Sequence, residues 1–390
     1  MQDQRVKTSK STALVMSGGG ARGAYEIGIL RGICEALGLG PEDPAPFGIM
    51  SGTSVGSINA SWLAAYAHKG DYAKEILREQ WLLPRIENYI DIDPTHLLLR
   101  IFGKGDPTRQ SLLSPKPFID FANSVPWDLV HKNLGDDTLR ALIFTATELS
   151  SGRSVWFTQM GGGHTFPDWP DHRRTVKHVR MGADHLLAGS AIPIALPPRE
   201  IDGVYYCDGG VRFKTPIGAA IRAGAEKLVV ITLRNPRTTH HAPPGESAPR
   251  PQQMLQQIMK SLSYDSSIYD VERLERINAL VDVMDERLDD EQRSAVDDSL
   301  SSGRGTSWSK LPVMSFHPEF DFGERALAAL DRMSPRLGKR QRILFNAMIR
   351  SNNLDGLSFL LFDPEFTEDM YEQGRVDAAA RAEEIVDFLG

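Results

Sequence analysis

Short apolar runs alternate along the chain with segments in which apolar residues recur every three or four positions. TALVM and PFGIM, at 12–16 and 46–50, predict two buried strands, and the residues between them, 24–37, predict a helix. RALIFTATEL and RSVWFTQ then predict a hairpin that turns at SSG, and GVYYCDGGV and KLVVITL predict two further strands. This alternation is typical of an α/β fold with a mainly parallel central sheet.

Two regions interrupt the alternation. Residues 91–135 are irregular in pattern and predict a cap or lid inserted into the core, whereas 234–253 are rich in proline and predict a mobile surface loop. We therefore predict a polar tail at 1–11, a core at 12–233, and a helical part at 254–390 that packs on the core and completes the same domain.

Composition narrows the classes of function. The 51 acidic residues outnumber the 44 basic ones and give a net charge of −7, so we expect no nucleic-acid partner. The two cysteines exclude a disulfide framework and a four-cysteine metal site. The polar N-terminus has no apolar run typical of a signal peptide, and no stretch approaches the ~20 apolar residues that span a bilayer. The expectation is a cytoplasmic protein that is at most peripheral at membranes.

A candidate nucleophile follows the second predicted strand. That strand ends in Gly52-Thr53-Ser54-Val55-Gly56, a G-x-S-x-G pattern, and a helical pattern begins directly afterwards. A serine on a sharp strand-to-helix turn needs small residues two positions away on each side, because the chain folds back on itself there. The helix N-terminus also favours negative charge beside the hydroxyl.

A serine hydroxyl needs a base to take its proton, and the residues allow two kinds. One is a histidine oriented by an acid, as in the catalytic triads. In the chain order serine, acid, histidine, three histidines follow Asp208, namely His240, His241 and His317. The other is a carboxylate acting alone. Asp208 follows the predicted strand VYYC and precedes Gly209 and Gly210, which leave the backbone free to aim the carboxylate into a cleft.

The first predicted strand ends in a glycine-rich turn that suits two tasks. Gly18, Gly20 and Gly23 form G-x-G-x-x-G, the spacing of a dinucleotide-binding turn, but the bare N–H groups equally suit an oxyanion. A dinucleotide site predicts an acidic residue where the second strand ends, and Met50 and Ser51 stand there. No Lys-Ser/Thr pair follows the glycines, which disfavours a nucleoside triphosphate loop.

In this order, GGGARG at 18–23, GTSVG at 52–56 and DGG at 208–210 resemble the signature motifs of the patatin-like phospholipases. TATELSSGRSVWFT, LLAGSAIPIALPP and the C-terminal LLFDPEFTEDMYEQGRVDA resemble further segments of that family. The resemblance implies a three-layer α/β/α fold, a Ser54–Asp208 dyad, no cofactor and no metal. It implies an oxyanion loop formed by Gly18, Gly19, Gly20 and Arg22. It also implies supporting turns at Gly23, Gly52, Gly56, Gly209 and Gly210. The implied substrates are phospholipids or other acyl lipids, with peripheral membrane contact.

One residue departs from the family pattern. Lys214 stands two positions before Pro216, where the family usually has asparagine, and this bears on substrate choice. Two other functions stay open: a lipid- or partner-binding relative with little activity, and an esterase of small soluble esters. The helical pattern at 271–288 predicts a helix docked on the core, or a surface for a membrane or a partner. The sequence does not predict an oligomeric state.

Overall fold

The computed structural model describes residues 10–70, 76–82, 115–167, 173–193, 195–212, 215–234, 267–301, 309–333, 335–351 and 353–390. Several predictions from the sequence therefore lie outside the described residues. These are most of the polar tail, the part of the cap at 91–114, Lys214, and the proline-rich loop from 235 onward.

The strands of the described chain form one mixed sheet. They are β1 (Thr12–Met16), β2 (Ile49–Thr53), β3 (Ala141–Glu148), β4 (Ser154–Met160), β5 (Arg174–His178), β6 (Arg199–Ile201), β7 (Val204–Asp208), β8 (Lys227–Ile231) and β9 (Val313–Phe316). Their order is β5-β4-β3-β2-β1-β8-β9, and β7 pairs with β3 and β6. The pairings from β3 through β2, β1 and β8 to β9 are all parallel, whereas β4 and β7 run antiparallel to β3. The predicted parallel core is confirmed.

Helices connect and cover these strands. They are α1 (Gly23–Ala36), α2 (Val55–Ala65), α3 (Ile76–Leu82), α4 (Pro115–Ser124), α5 (Trp127–Gly135), α6 (Ala183–Ser190), α7 (Ile217–Arg222), α8 (Ser267–Arg287), α9 (Asp290–Ser301), α10 (Phe322–Met333), α11 (Lys339–Arg350), α12 (Leu354–Leu360), α13 (Pro364–Ala379) and α14 (Ala382–Leu389). The helical C-terminal region is therefore present as predicted.

Side chains alternate across the sheet and produce two hydrophobic cores. On β1, Leu14 and Met16 pack into the core shared with α1, α2 and α13, whereas Ala13 and Val15 pack into the core shared with α7 and α8. Parallel strands need cover on both faces, and the two cores supply it. The result is the predicted three-layer α/β/α arrangement.

Helix α13 lies unusually close to α1. A Cβ atom built at Gly28 would lie 2.0 Å from the Tyr371 carbonyl oxygen, and one built at Gly32 would lie 2.5 Å from the Ala378 Cβ. The two helices can approach this closely because small residues recur four positions apart on their facing sides. The C-terminal helix is thus tied to the helix that follows the glycine-rich turn.

The structure corrects one prediction about the cap. Residues 115–135 are not irregular, because they form α4 and α5. Helix α5 packs on α2, where the Asn133 side-chain amide donates to the Ala64 and Ala65 carbonyls at 2.8 and 2.9 Å. Among the described helices, none has the length and apolar character that crossing a bilayer requires.

Candidate active site

Ser54 occupies a strained turn between β2 and α2. Its backbone has φ 55° and ψ −123°, a conformation that costs a non-glycine residue about 1–3 kcal/mol. A Cβ built at Gly52 would lie 2.3 Å from the Gly56 carbonyl carbon, and one at Gly56 would lie 2.5 Å from the Met16 carbonyl oxygen. Both flanking positions therefore require glycine, which is the geometry of a nucleophile elbow.

Asp208 lies next to this turn because β2 and β7 both pair with β3 along the same edge. On one edge of β3, Thr53 pairs with Thr145 and Asp208 pairs with Ala146, while β4 occupies the opposite edge. Strand β7 thus ends at Asp208, beside the point on β3 where β2 also ends. Consecutive Cα atoms are about 3.8 Å apart, so the carboxylate and the Ser54 turn are close neighbours.

The end of α6 contacts both residues of the predicted dyad. The Ser190 hydroxyl donates to the Ser54 carbonyl at 3.3 Å, and the Asp208 N–H donates to the Ala191 carbonyl at 2.9 Å. Two consecutive residues therefore hold the nucleophile turn and the carboxylate turn in one arrangement. The sequence analysis did not identify Ser190, whose only signal was its place in LLAGSAIP.

The two glycines after Asp208 have separate tasks. The Gly210 N–H donates to Asp208 Oδ1 at 2.7 Å and orients the carboxylate. A Cβ built at Gly209 would lie 2.6 Å from the Thr145 carbonyl oxygen, so the turn fits against β3 only without a side chain. The carboxylate is largely buried, at 4% exposure, as is Ser54 at 5%.

The glycine loop (residues 18–23) lies against the nucleophile turn. A Cβ built at Gly18 would lie 3.2 Å from the Ser54 Cβ. Gly20 has φ +60°, and a Cβ there would lie 2.2 Å from the Phe359 carbonyl oxygen of α12. Within the described part of the chain, the Gly18 and Gly19 N–H groups donate no hydrogen bond. Buried N–H groups in that condition are suited to an anionic ligand atom.

Arg22 anchors this loop to α12. Its Nε and Nη2 donate to the Ser358 hydroxyl at 2.9 and 2.6 Å, and Nη2 also donates to the carbonyl and carboxylate of Asp355 at 2.9 and 2.8 Å. The guanidinium stacks on Phe322 and Phe359, with its carbon 5.0 and 5.1 Å from the ring centroids. Burial lowers the pKa of Arg22, although arginine remains charged in proteins. These contacts tie the glycine loop to α12.

A buried carboxylate beneath the loop was missed by the sequence analysis. Glu26 Oε1 accepts the Ser17 N–H at 2.9 Å, and Oε2 accepts the Asn59 amide at 2.8 Å. Trp81 Nε1 donates to Asn59 Oδ1 at 3.0 Å, so the network joins β1, α1, α2 and α3. Burial raises the pKa of Glu26 well above its ordinary value, and the two hydrogen bonds oppose this only in part. The one available signal was an acidic residue on the buried side of a helical pattern.

Comparison with known proteins identifies the family of this chain. The family model described as "Patatin-like phospholipase" matches residues 14–221, just over half of the chain. The chain belongs to the patatin-like phospholipase family. The match spans all three motifs, and membership supports a lipid acyl hydrolase in general terms.

Individual relatives of this patatin-like chain are distant. It is 24% identical over 222 residues to "Uncharacterized protein YjjU" of Escherichia coli, which covers 56% of this chain and 51% of that protein. It is 36% identical over 78 residues to mouse "Patatin-like phospholipase domain-containing protein 7", covering 20% of this chain and 5% of that one. The chain thus spans about half the length of the first relative and a small part of the second. VipD of Legionella pneumophila aligns with 96% of this chain and 67% of its own, at TM-score 0.37 and 13% identity.

Of the three histidines considered as the base in this patatin-like fold, His317 is the one that the structure describes, and it lies far from Ser54. His317 follows β9, a strand that the sequence analysis did not predict. Strands β1 and β8 separate β9 from β2, and a spacing of about 4.8 Å per strand puts His317 roughly 14 Å away from the nucleophile strand. His240 and His241 lie outside the described residues.

An apolar pocket opens beside the elbow of this patatin-like site. It has about 550 Å³ of empty space, its open mouth included. Ser190, which binds the Ser54 carbonyl, is part of its wall. Apolar side chains of α2, α4 and α6 also line it, namely Ile58, Phe118, Phe121, Ala122 and Leu187. Among the described residues, no cluster of His, Cys, Asp and Glu is arranged to hold a metal ion.

Proposed function

We propose that the protein hydrolyses acyl ester bonds of phospholipids or related acyl lipids, with Ser54 as nucleophile and Asp208 as base. One observation carries this proposal: Ser54, in its strained elbow, directly follows Thr53, and Thr53 and Asp208 pair with consecutive residues along the same edge of β3. Membership of a lipid acyl hydrolase family supports the same reaction class.

In the first half-reaction, Ser54 Oγ attacks the ester carbonyl carbon while its proton passes to the Asp208 carboxylate. The carbonyl oxygen becomes an oxyanion, which the Gly18 and Gly19 N–H groups stabilise. When the tetrahedral intermediate collapses, the C–O bond to the alcohol breaks and the alcohol oxygen takes the proton from Asp208. An acyl ester on Ser54 remains.

In the second half-reaction, water attacks the acyl carbonyl carbon and gives its proton to Asp208. The second tetrahedral intermediate breaks the bond to Ser54 Oγ, which recovers the proton. The fatty acid leaves and the enzyme returns to its starting state. No step in this scheme requires a metal or a cofactor. The absence of a cofactor, of a nucleic-acid partner and of secretion stays a prediction.

The apolar pocket supports a lipid substrate. Its wall includes Phe118, Phe121 and Leu187, and it touches the Ser54 turn through Ser190. An acyl chain in this pocket would bring its ester carbon to the elbow. Burying each CH₂ group stabilises binding by about 0.8 kcal/mol, so longer chains gain most.

The test measures fatty-acid release from phosphatidylcholine vesicles and turnover of a short-chain soluble ester. We expect Ser54→Ala and Asp208→Asn each to lower turnover by more than about 10³-fold, because each removes a reacting group. Matched controls are Ser150→Ala and Asp202→Asn, which change an exposed serine and an exposed aspartate in nearby turns. These controls should retain activity.

Unchanged turnover in Ser54→Ala would refute the mechanism. Activity on the soluble ester together with none on vesicles or dispersed phospholipid would favour the small-ester alternative. Inactive wild-type protein on both substrates would favour a binding relative without activity.

A further inference from the structure

Helix α11 (Lys339–Arg350) differs in charge from the rest of the protein. It contains four cationic residues and no carboxylate, in a chain whose net charge is −7. Lys and Arg on an amphipathic helix are typical of attraction to anionic lipid headgroups. The concentration of positive charge is therefore a local feature of one helix.

The helix presents two different faces. Phe345 is buried, and Leu344 and Met348 are packed partly into the core. On the opposite side Ile343 is 71% exposed. We define the basic face as Lys339, Ile343, Ala347 and Arg350, four exposed residues spaced three or four positions apart. An exposed apolar side chain thus lies between cationic ends.

The basic face is one helix away from the glycine loop. The Asn353 N–H donates to the Met348 carbonyl at 2.8 Å, which joins the end of α11 to the start of α12. Helix α12 in turn holds Arg22 through Ser358 and contacts Gly20 through the Phe359 backbone. Helix α11 therefore belongs to the end of the molecule that carries the candidate active site.

We propose that the basic face docks the protein onto an anionic phospholipid bilayer. The proposal rests on the proposed function, because it takes the bilayer to be the source of the acyl substrate. Lys339 and Arg350 attract the negatively charged headgroups, and Ile343 inserts at the boundary between headgroups and acyl chains. Bound in this way, α11 holds the active-site end of the protein against its substrate.

A second helix with exposed apolar residues provides a contrast. On α8, Leu280 and Val283 are 50% and 55% exposed, but Asp282, Asp285 and Glu286 lie beside them. Carboxylates are repelled by an anionic surface. Although the sequence analysis left residues 271–288 open as a membrane surface, charge complementarity favours α11 and disfavours α8.

The experiment uses the whole 390-residue chain with Ser54→Ala, so that binding is measured without hydrolysis. Co-sedimentation is compared for vesicles of phosphatidylcholine alone and of phosphatidylcholine mixed with phosphatidylglycerol. We expect binding only to the mixed vesicles, with loss at about 1 M salt, where the screening length falls to about 3 Å. In Lys339→Glu/Arg350→Glu, two attractions of about 1 kcal/mol each disappear, so binding should fall at least ~30-fold.

The matched control is Arg273→Glu/Arg276→Glu on α8, which changes the net charge equally at exposed positions. Ile343→Asp is compared with Val283→Asp in the same way. Loss of binding in the α11 variants and retention in the α8 variants would support the proposal, with circular dichroism confirming the fold of each. Equal binding to neutral and mixed vesicles, or equal loss in the α8 variants, would overturn it.

Two further outcomes distinguish membrane docking from dimerisation through the basic face and from failure of the proposed hydrolysis. A dimer in sedimentation velocity that Ile343→Asp dissociates, with no vesicle binding, would show that the face joins two copies and overturn the proposal. Because the binding assay needs no turnover, failure of the proposed function would appear separately, as wild-type protein that binds mixed vesicles and hydrolyses no ester. That result would leave the docking surface supported as a property of a binding protein.

Discussion

Removing the Ser358 hydroxyl distinguishes two roles for Arg22, a brace of the glycine loop and a direct contact to the oxyanion. Ser358 accepts from Arg22 Nε and Nη2 at 2.9 and 2.6 Å, while Nη2 keeps a second acceptor in Asp355. Ser358→Ala therefore leaves the Nε–H of a buried cation without its acceptor. A hydrogen bond to a charged group contributes about 1.5–3 kcal/mol, so the free energy of unfolding should fall by about 2–4 kcal/mol.

The activity measurement uses the short-chain soluble ester. If Arg22 braces the loop, Ser358→Ala lowers kcat and leaves KM nearly unchanged, because the Ser358 hydroxyl, which also donates to the Asp355 carbonyl at 2.8 Å, holds the Arg22 guanidinium in place. Arg22→Lys should produce a similar fall, since lysine lacks the planar fork that reaches Ser358 and Asp355 together. The double variant should lose less than the two single losses combined, because both changes disrupt one interaction.

Ser351→Ala provides the control, because it removes an exposed serine hydroxyl at the end of α11. We expect unchanged stability and turnover. The bracing role would be refuted if Ser358→Ala left kcat intact while Arg22→Lys lowered it by about 10²-fold or more, the loss typical of a missing oxyanion donor. Additive losses in the double variant would point to the same conclusion.

Three further predictions concern the core, the buried carboxylate and the pocket. Gly28→Ala should lower the free energy of unfolding by about 3 kcal/mol or more in urea titrations, because its Cβ would meet the Tyr371 carbonyl oxygen at 2.0 Å. In Gly135→Ala, where no atom lies within 4 Å, helix propensity should instead add up to about 1 kcal/mol. Since burial raises the pKa of Glu26, the folded state binds its proton more tightly than the unfolded state. The stability of wild type relative to Glu26→Gln should therefore decrease as pH rises from the ordinary glutamate pKa through the raised one, and a pH-independent difference would contradict this. Ala122→Phe should narrow the pocket and lower the ratio of kcat/KM for long-chain over short-chain esters at least about tenfold, whereas an unchanged ratio would place the acyl chain elsewhere.

The elements that the sequence predicted are those with a strong local pattern. Strands β1, β3 and β8 are largely apolar, because helices cover both faces of the sheet, whereas β2 (IMSGT) is apolar only at its start and begins three residues later than predicted. Strand β5 was missed because its residues, RTVKH, lie at the edge of the sheet and are mostly half-buried. Helices α4 and α5 were missed because both segments are short and the prolines in SPKPF and VPW favour an irregular structure over a helix.

The residues of the candidate site also fall into two groups, those that a local sequence pattern predicts and those that it does not. Ser54 and the glycines around it follow from local backbone geometry, which leaves a recognisable spacing in the sequence. The partners of Arg22 do not, because Ser358 is 336 residues away along the chain and no periodic pattern links the two positions. Glu26 was missed because a buried carboxylate within an apolar pattern shows its purpose only when Ser17 and Asn59 are brought beside it.

The contact between the glycine loop and α12 also bears on how the protein is made. A ribosome synthesises residues 14–221, with the elbow and Asp208, long before it reaches 354–360. During that interval a nascent chain holds Ser54 and Asp208, the proposed nucleophile and base, but Gly20 lacks its contact with Phe359 and Arg22 lacks its acceptors Ser358 and Asp355. The loop acquires its contacts with α12 only after translation has passed that helix, so we expect the proposed activity to arise late in synthesis, after Ser54 and Asp208 themselves have been made.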